Sequence, residues 1–169
     1  MKKALLIMSL LAVGMVVGVP QATAQEDQIT VTVTVPTLLS VSLSPDAWAI
    51  GNVALGDTVD TGTDYFTATN TGNVTEDFSI VSSGSVMPGP VAGWTCGATA
   101  GSEIFEMKAK GGDFGTTWTS IHNSQTLETG VVKTTGTVSF DLQFKAPTDT
   151  THVDTQHTIT VTVTASAST

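Results

Sequence analysis

The sequence has no arginine and only six lysines, set against fifteen aspartates and glutamates, for a net charge of −9. A chain so poor in cations has no surface to neutralise phosphates, which excludes nucleic acid as a partner. Electrostatic docking on anionic lipid is excluded for the same reason. Cysteine occurs once, at Cys96, so no intramolecular disulfide can form and the fold must rest on its core. Beside Trp94 that thiol is expected to pack as a small buried hydrophobe, the alternative being a bridge to another molecule. Beyond residue 24 there is no sustained 3.6-residue apolar pattern, which argues against helices.

The one long apolar run stands at the start, in "MKKALLIMSLLAVGMVVGVPQATAQ". Lys2 and Lys3 precede a mainly apolar stretch, Ala4 to Val19, and Ala22-Thr23-Ala24 follows as a small-residue cleavage site. That order is a secretory signal peptide of bacterial appearance, and the stretch is short for a membrane span of about 20 residues. Residues 1–24 are therefore expected to be a cleaved leader, and residues 25–169 a single secreted or cell-surface domain with no membrane span. Four lysines then face fifteen acids, 4 − 15 = −11, a charge suited to solubility outside the cell.

What the sequence has in abundance is threonine, valine, serine and glycine. "QITVTVTVPT" opens the region after the leader and "QHTITVTVTAS" closes it. Strict alternation puts valines on one face of a strand and hydroxyls on the other, and β-branched residues suit that pleated surface. Strands are expected at Ile29–Val35, Leu38–Leu43, Trp48–Val53, Tyr65–Thr69, Asp77–Ser82, Ile104–Ala109, Trp118–Ile121, Thr137–Phe144 and Thr158–Thr164. Turn chemistry separates them at Ser44-Pro45-Asp46, Asn70-Thr71-Gly72-Asn73, Lys110-Gly111-Gly112-Asp113 and Ala146-Pro147-Thr148-Asp149. Short strands at this spacing imply an all-β sandwich with Greek-key connections. Val138, Phe140, Leu142 and Phe144 share one face, and with Trp94 they are expected to fill the space between the sheets.

"DYFTATNTGNVTEDFSI", then "GWTC", then "VSFDLQFKAPTDT" and "HTITVTVTAS", resemble the immunoglobulin-like modules of bacterial surface proteins over roughly residues 29–165. The resemblance implies an immunoglobulin-like Greek-key β-sandwich of about 7–9 strands. The "VTVTV" opening and "ITVTVT" close also resemble archaic chaperone–usher pilus subunits, although the cysteine pair often found in those is absent here.

Candidate chemistry is sparse. His152, Asp154 and His157 could gather around a metal only if the chain bends between them; the alternative is a polar turn. Ser120 and His122 lie two residues apart, but no G-x-S-x-G elbow accompanies them. Asp113 beside glycine reads as turn chemistry, and Glu103 and Glu106 sit around one strand with no sign of a cleft. Asp57, Asp60 and Asp64 share a loop that could hold calcium, though not with EF-hand spacing. Asn73 opens a formal N-x-T sequon. No catalytic, cofactor-binding or metal residue is assigned, no cofactor is expected apart from the calcium alternative at that loop, and no enzyme activity is expected.

Two functions fit. One is a structural subunit displayed or assembled on the cell exterior, alone or with other surface proteins. Its two Val/Thr ribbons either pair with each other within one molecule, or one pairs with a neighbour's open edge to make a fibre. The other is an adhesin or carbohydrate-binding module, which needs two of Trp48, Trp94 and Trp118 exposed on one face to stack on sugars.

Overall fold

The computed structural model describes residues 29–89 and 91–169. The expected leader, residues 1–24, lies outside the described residues. Val35–Thr169 forms one compact unit, and residues up to Thr34 belong to a separate one.

The compact unit is all-β, as the alternation predicts. Its strands in chain order are β1 (Val41–Ser44), β2 (Thr58–Asp60), β3 (Phe66–Asn70), β4 (Glu76–Met87), β5 (Val91–Ala92), β6 (Thr95–Gly97), β7 (Ile104–Gly111), β8 (Thr119–Ser120), β9 (Gln125–Val131), β10 (Thr137–Lys145) and β11 (Thr158–Ala167). One sheet runs β1-β3-β10-β7-β6, with β2 also on β10 and β8 on β7. The other runs β11-β4-β5, with β9 also on β4. All pairings are antiparallel except β6 with β7.

Period-2 patterning places the core. Phe66 and Ala68 of β3, Phe78 and Ile80 of β4, Phe105, Met107 and Ala109 of β7, and Val138, Phe140, Leu142 and Phe144 of β10 are buried in one cluster. Phe66 stacks on Phe140 with centroids 5.3 Å apart, and Phe105 tilts against Phe144 at 5.7 Å, separations that favour aromatic pairs. A bulge in β4 then changes the phase: Ile159 pairs with Ser85 and Val161 with Ser82. Three steps on β4 match two on β11, so Ser85 as well as Ser82 turns inward and is buried.

The structure departs from the expected strands in three ways. Trp48–Val53 forms no strand, because Gly51 adopts a left-handed φ of 79° that interrupts the extended run. Ile29–Val35 carries no ladder pairing. Among the described residues no strand pairs with it. Four strands also arise that the patterning did not announce: β2, β5, β6 and β9. Register shifts along β9 break its alternation, and β2, β5 and β6 are too short to show a period.

Replacing Phe140, 2% exposed, with alanine is expected to cost about 3–5 kcal/mol. Ser139→Ala on the exposed face of the same strand should stay within about 0.5 kcal/mol. Urea denaturation of both variants checks this, and equal midpoints would remove this face from the core.

Candidate functional site

The first feature is the ribbon after the expected leader. Ile29, Val31, Val33 and Val35 are 92%, 77%, 77% and 76% exposed. Four β-branched apolar side chains thus alternate along an extended segment and lie in water.

Its root is fixed. The Asn73 side chain donates from Nδ2 to Pro36 O and accepts the Leu38 N–H at Oδ1, at 2.9 and 2.8 Å. Leu38 O accepts the Asn73 N–H, Ser40 O accepts the Thr71 N–H, and Ser40 N–H donates to Glu76 Oε1 at 2.8 Å. Residues 36–40 are thereby clasped, extended, against the 70–76 turn. Asn70, fully buried, holds that turn: Nδ2 donates to Val74 O and Val131 O, and Oδ1 accepts the Gly72 N–H. Gly72 is required because a Cβ there would collide with Glu76 Oε1 and Leu38 O. Glu76 Oε2 is buried without a partner among the described residues. The sequon asparagine therefore has a structural task. Its signal in the sequence, the N-x-G-N turn, was legible, but its partners 35 residues upstream were not.

The second feature is a junction just before β11. The His157 ring stacks on Trp94, centroids 3.6 Å apart, and its Nδ1 lies 2.9 Å from Ser85 Oγ. Ser85 Oγ accepts the Trp94 backbone N–H. Trp94 Nε1 donates to Thr150 Oγ1, which donates in turn to Glu103 Oε2. Glu103 also accepts from the Thr151 N–H and hydroxyl, and those bonds, the backbone one foremost, hold its carboxyl below the usual range. Burial lowers the pKa of His157, whose Nε2 is buried without a partner among the described residues. Ser85 beside His157 is not arranged as a nucleophile: it is 4% exposed, and the imidazole has no carboxylate to orient it.

The other candidates do not assemble into a site. His152 reaches the His157 ring at 6.1 Å and Glu103 at 3.8 Å, so the bend brings two of the expected three together, while Asp154 is exposed. Among the described residues no three His, Cys, Asp or Glu side chains converge in a way that could hold a metal, the Asp57, Asp60 and Asp64 loop included. Asp60 instead accepts the Gly62 N–H. Ser120 Oγ lies 3.1 Å from His122 Nδ1, but Asn123 Nδ2 meets Nε2 at 2.8 Å. With Nε2 as acceptor, the ring carries its proton on Nδ1 and donates to Ser120, the wrong polarity for a base. Glu106 pairs with Lys108 at 2.9 Å, apart from the Glu103 network. Asp113 accepts the Thr129 hydroxyl; burial, and then the Asp113 charge, raises the pKa of Glu128. Cys96 is half-buried rather than fully buried, and burial raises its thiol pKa.

None of the three tryptophans is exposed: Trp48 and Trp94 pack on the core, and Trp118 lies half-buried with Lys110 Nζ 4.5 Å above its ring. The comparisons with protein-family models, curated proteins and solved structures found no match to this chain.

The junction generates a pH dependence. His157 has an ordinary value of 6.5 and is lowered in the fold, so below that pH the unfolded chain binds the proton more readily than the folded one. Stability is full above 6.5 and falls as pH drops from there toward the folded value. Glu103, lowered from 4.5, contributes stability that is lost at still lower pH. Denaturation midpoints should therefore fall between pH 7.5 and 5.5, and His157→Gln should flatten that interval. Gly93→Ala should act similarly, because a Cβ there would sit 2.5 Å from Ser85 Oγ and 2.6 Å from His157 Nδ1. The displaced ring should cost about 1–3 kcal/mol. An undiminished pH slope in both variants would free His157 of this role.

Proposed function

We propose that this chain is a non-catalytic extracytoplasmic structural protein, a cell-surface subunit that assembles with copies of itself by strand pairing. The observation that carries this reading is the ribbon: an alternating Ile/Val segment, rooted by a clasp, with no ladder to any strand among the described residues. An extended segment with unsatisfied backbone groups and one apolar face is what a sheet edge accepts. Each of its four large side chains, buried on pairing, would contribute about 1.5–3 kcal/mol, against an association cost of about 4–15 kcal/mol. The gain is of the size needed once ladder bonds are added. The leader-like start and the acidity support export, and the resemblance to immunoglobulin-like surface modules supports a structural role. The sugar-binding alternative lacks the pair of exposed tryptophans it requires.

Deletion of residues 28–35 is the test. The chain beginning at Gln25 should form filaments or higher oligomers, seen by negative-stain microscopy and by light scattering after size exclusion. The deleted chain should be monomeric, with a melting temperature within a few degrees of the parent. Monomers from both at high concentration, or assembly by both, would reject the reading.

A further inference from the structure

The ribbon needs an acceptor, and the edges of the two sheets are not equivalent. β11 pairs with β4 on one side, and no strand among the described residues takes the other. It is ten residues long, "TITVTVTASA", with no charge and no proline. The other edge strands are poor templates. β1 has four residues, β6 three and β5 two. β9 carries Glu128 and Gly130 and pairs through register shifts. Charges, bulges and brevity are how sheets protect an edge, and β11 has none of these on its open side.

Its backbone is also oriented for pairing. The Thr160 N–H donates to Ser83 Oγ and the Ser168 N–H to Thr75 O, both toward the β4 side. Strand alternation then turns the N–H groups of Val161, Val163 and Ala165 to the open edge. The side chains give a second sign. Ile159, Val161, Val163 and Ala165 face the core yet remain partly exposed, whereas Phe78 and Ile80 on adjacent β4 are fully buried. β1 touches β11 across the sandwich, and its Val41 and Leu43 are likewise only partly covered.

We propose that the open edge of β11 is the acceptor and that its occupant is residues 29–35 of a second copy of the chain. This rests on the strand-pairing reading above and names the partner surface within it. Ribbon and edge are both uncharged, both alternate β-branched residues with threonine, and seven ribbon residues fit within a ten-residue edge. The ribbon's own β11 is a poor occupant site for it. β11 runs toward the clasp, where Ala167 pairs with Glu76, while β1 runs away from it. A ribbon lying on its own β11 would have to double back at Val35, next to the clasped Pro36, and a residue before proline is biased to extended backbone. Donor and acceptor are different surfaces, so the contact is head-to-tail and need not close.

The test pairs two variants of the chain from Gln25. Ala165→Pro removes an edge N–H and adds no charge, a change tolerated where that N–H does not serve the ladder. It keeps the donor and spoils the acceptor, whereas deletion of residues 28–35 does the reverse. Each alone should be monomeric, and a mixture should give a 1:1 dimer that does not extend. If Ala165→Pro assembles like the parent while the deletion does not, the acceptor is elsewhere: this proposal falls and the strand-pairing reading stands. If the deletion assembles too, as a β11-to-β11 dimer would, both fall. A measurement independent of the proline is hydrogen exchange on the deleted chain with added peptide Gln28–Thr37. Exchange at Val161, Val163 and Ala165 should slow by about tenfold or more. Protection confined to β1 or β9, or no protection at saturating peptide, overturns the assignment.

Discussion

The packing of the two sheets through one aromatic cluster is the interaction on which the rest of the molecule depends. With no disulfide, this cluster is the main contact between the sheet built on β10 and the sheet built on β4, supplemented at its margins by hydrogen bonds such as Asn70 to Val131. Phe66, Phe105, Phe140 and Phe144 come from one sheet and Phe78, Ile80 and Leu127 from the other. Because such a core is close-packed, it sets the inward face of every long strand, and so which side chains meet water. The half-buried rim at β1 and β11 is where this cluster runs out of partners.

Polar groups inside that frame act as registers. Asn70 satisfies two backbone groups of the turn and one at the end of β9, and so defines where β3 ends and β4 begins. Glu76 and Asn73 then capture residues 36–40 and decide the direction from which the chain enters β1. The bulge in β4 turns Ser85 inward, and Ser85 gathers Trp94 and His157 just ahead of β11. A buried hydroxyl or amide without a partner is expensive, so each of these contacts discriminates strongly against neighbouring registers. Both features bear on the open flank: the clasp fixes the root of the ribbon, and the junction anchors the start of β11.

A sheet interior satisfies its own hydrogen bonds, whereas an edge leaves half of them to water. Among the described residues, one side of β11 and the ribbon are both left without a strand partner, and their chemistry matches. Glu103, His152 and His157 meet at the junction ahead of β11. Ser85 is engaged with His157 and Trp94, Ser120 with His122, and Glu106 with Lys108.

Alternation alone determined much: the all-β class, the inward face of β10 and the two Val/Thr ribbons are local properties of side-chain period. Turn chemistry placed the turn at Asn70 to Asn73, but that turn crosses from one sheet to the other and does not close the hairpin its sequence suggests. Trp48–Val53 also alternates convincingly, yet the left-handed Gly51 breaks it, a backbone choice that side-chain pattern does not report. Which ribbon finds a partner was equally invisible, since the two are nearly the same string. β11 pairs because β4 offers it a long ladder, from Thr158 with Val86 to Ala167 with Glu76, while residues 29–35 have no strand beside them among the described residues. The clasp and the Trp94–His157 stack join residues about 35 and 63 positions apart. Such contacts are decided by how two sheets pack, and that depends on the whole chain at once.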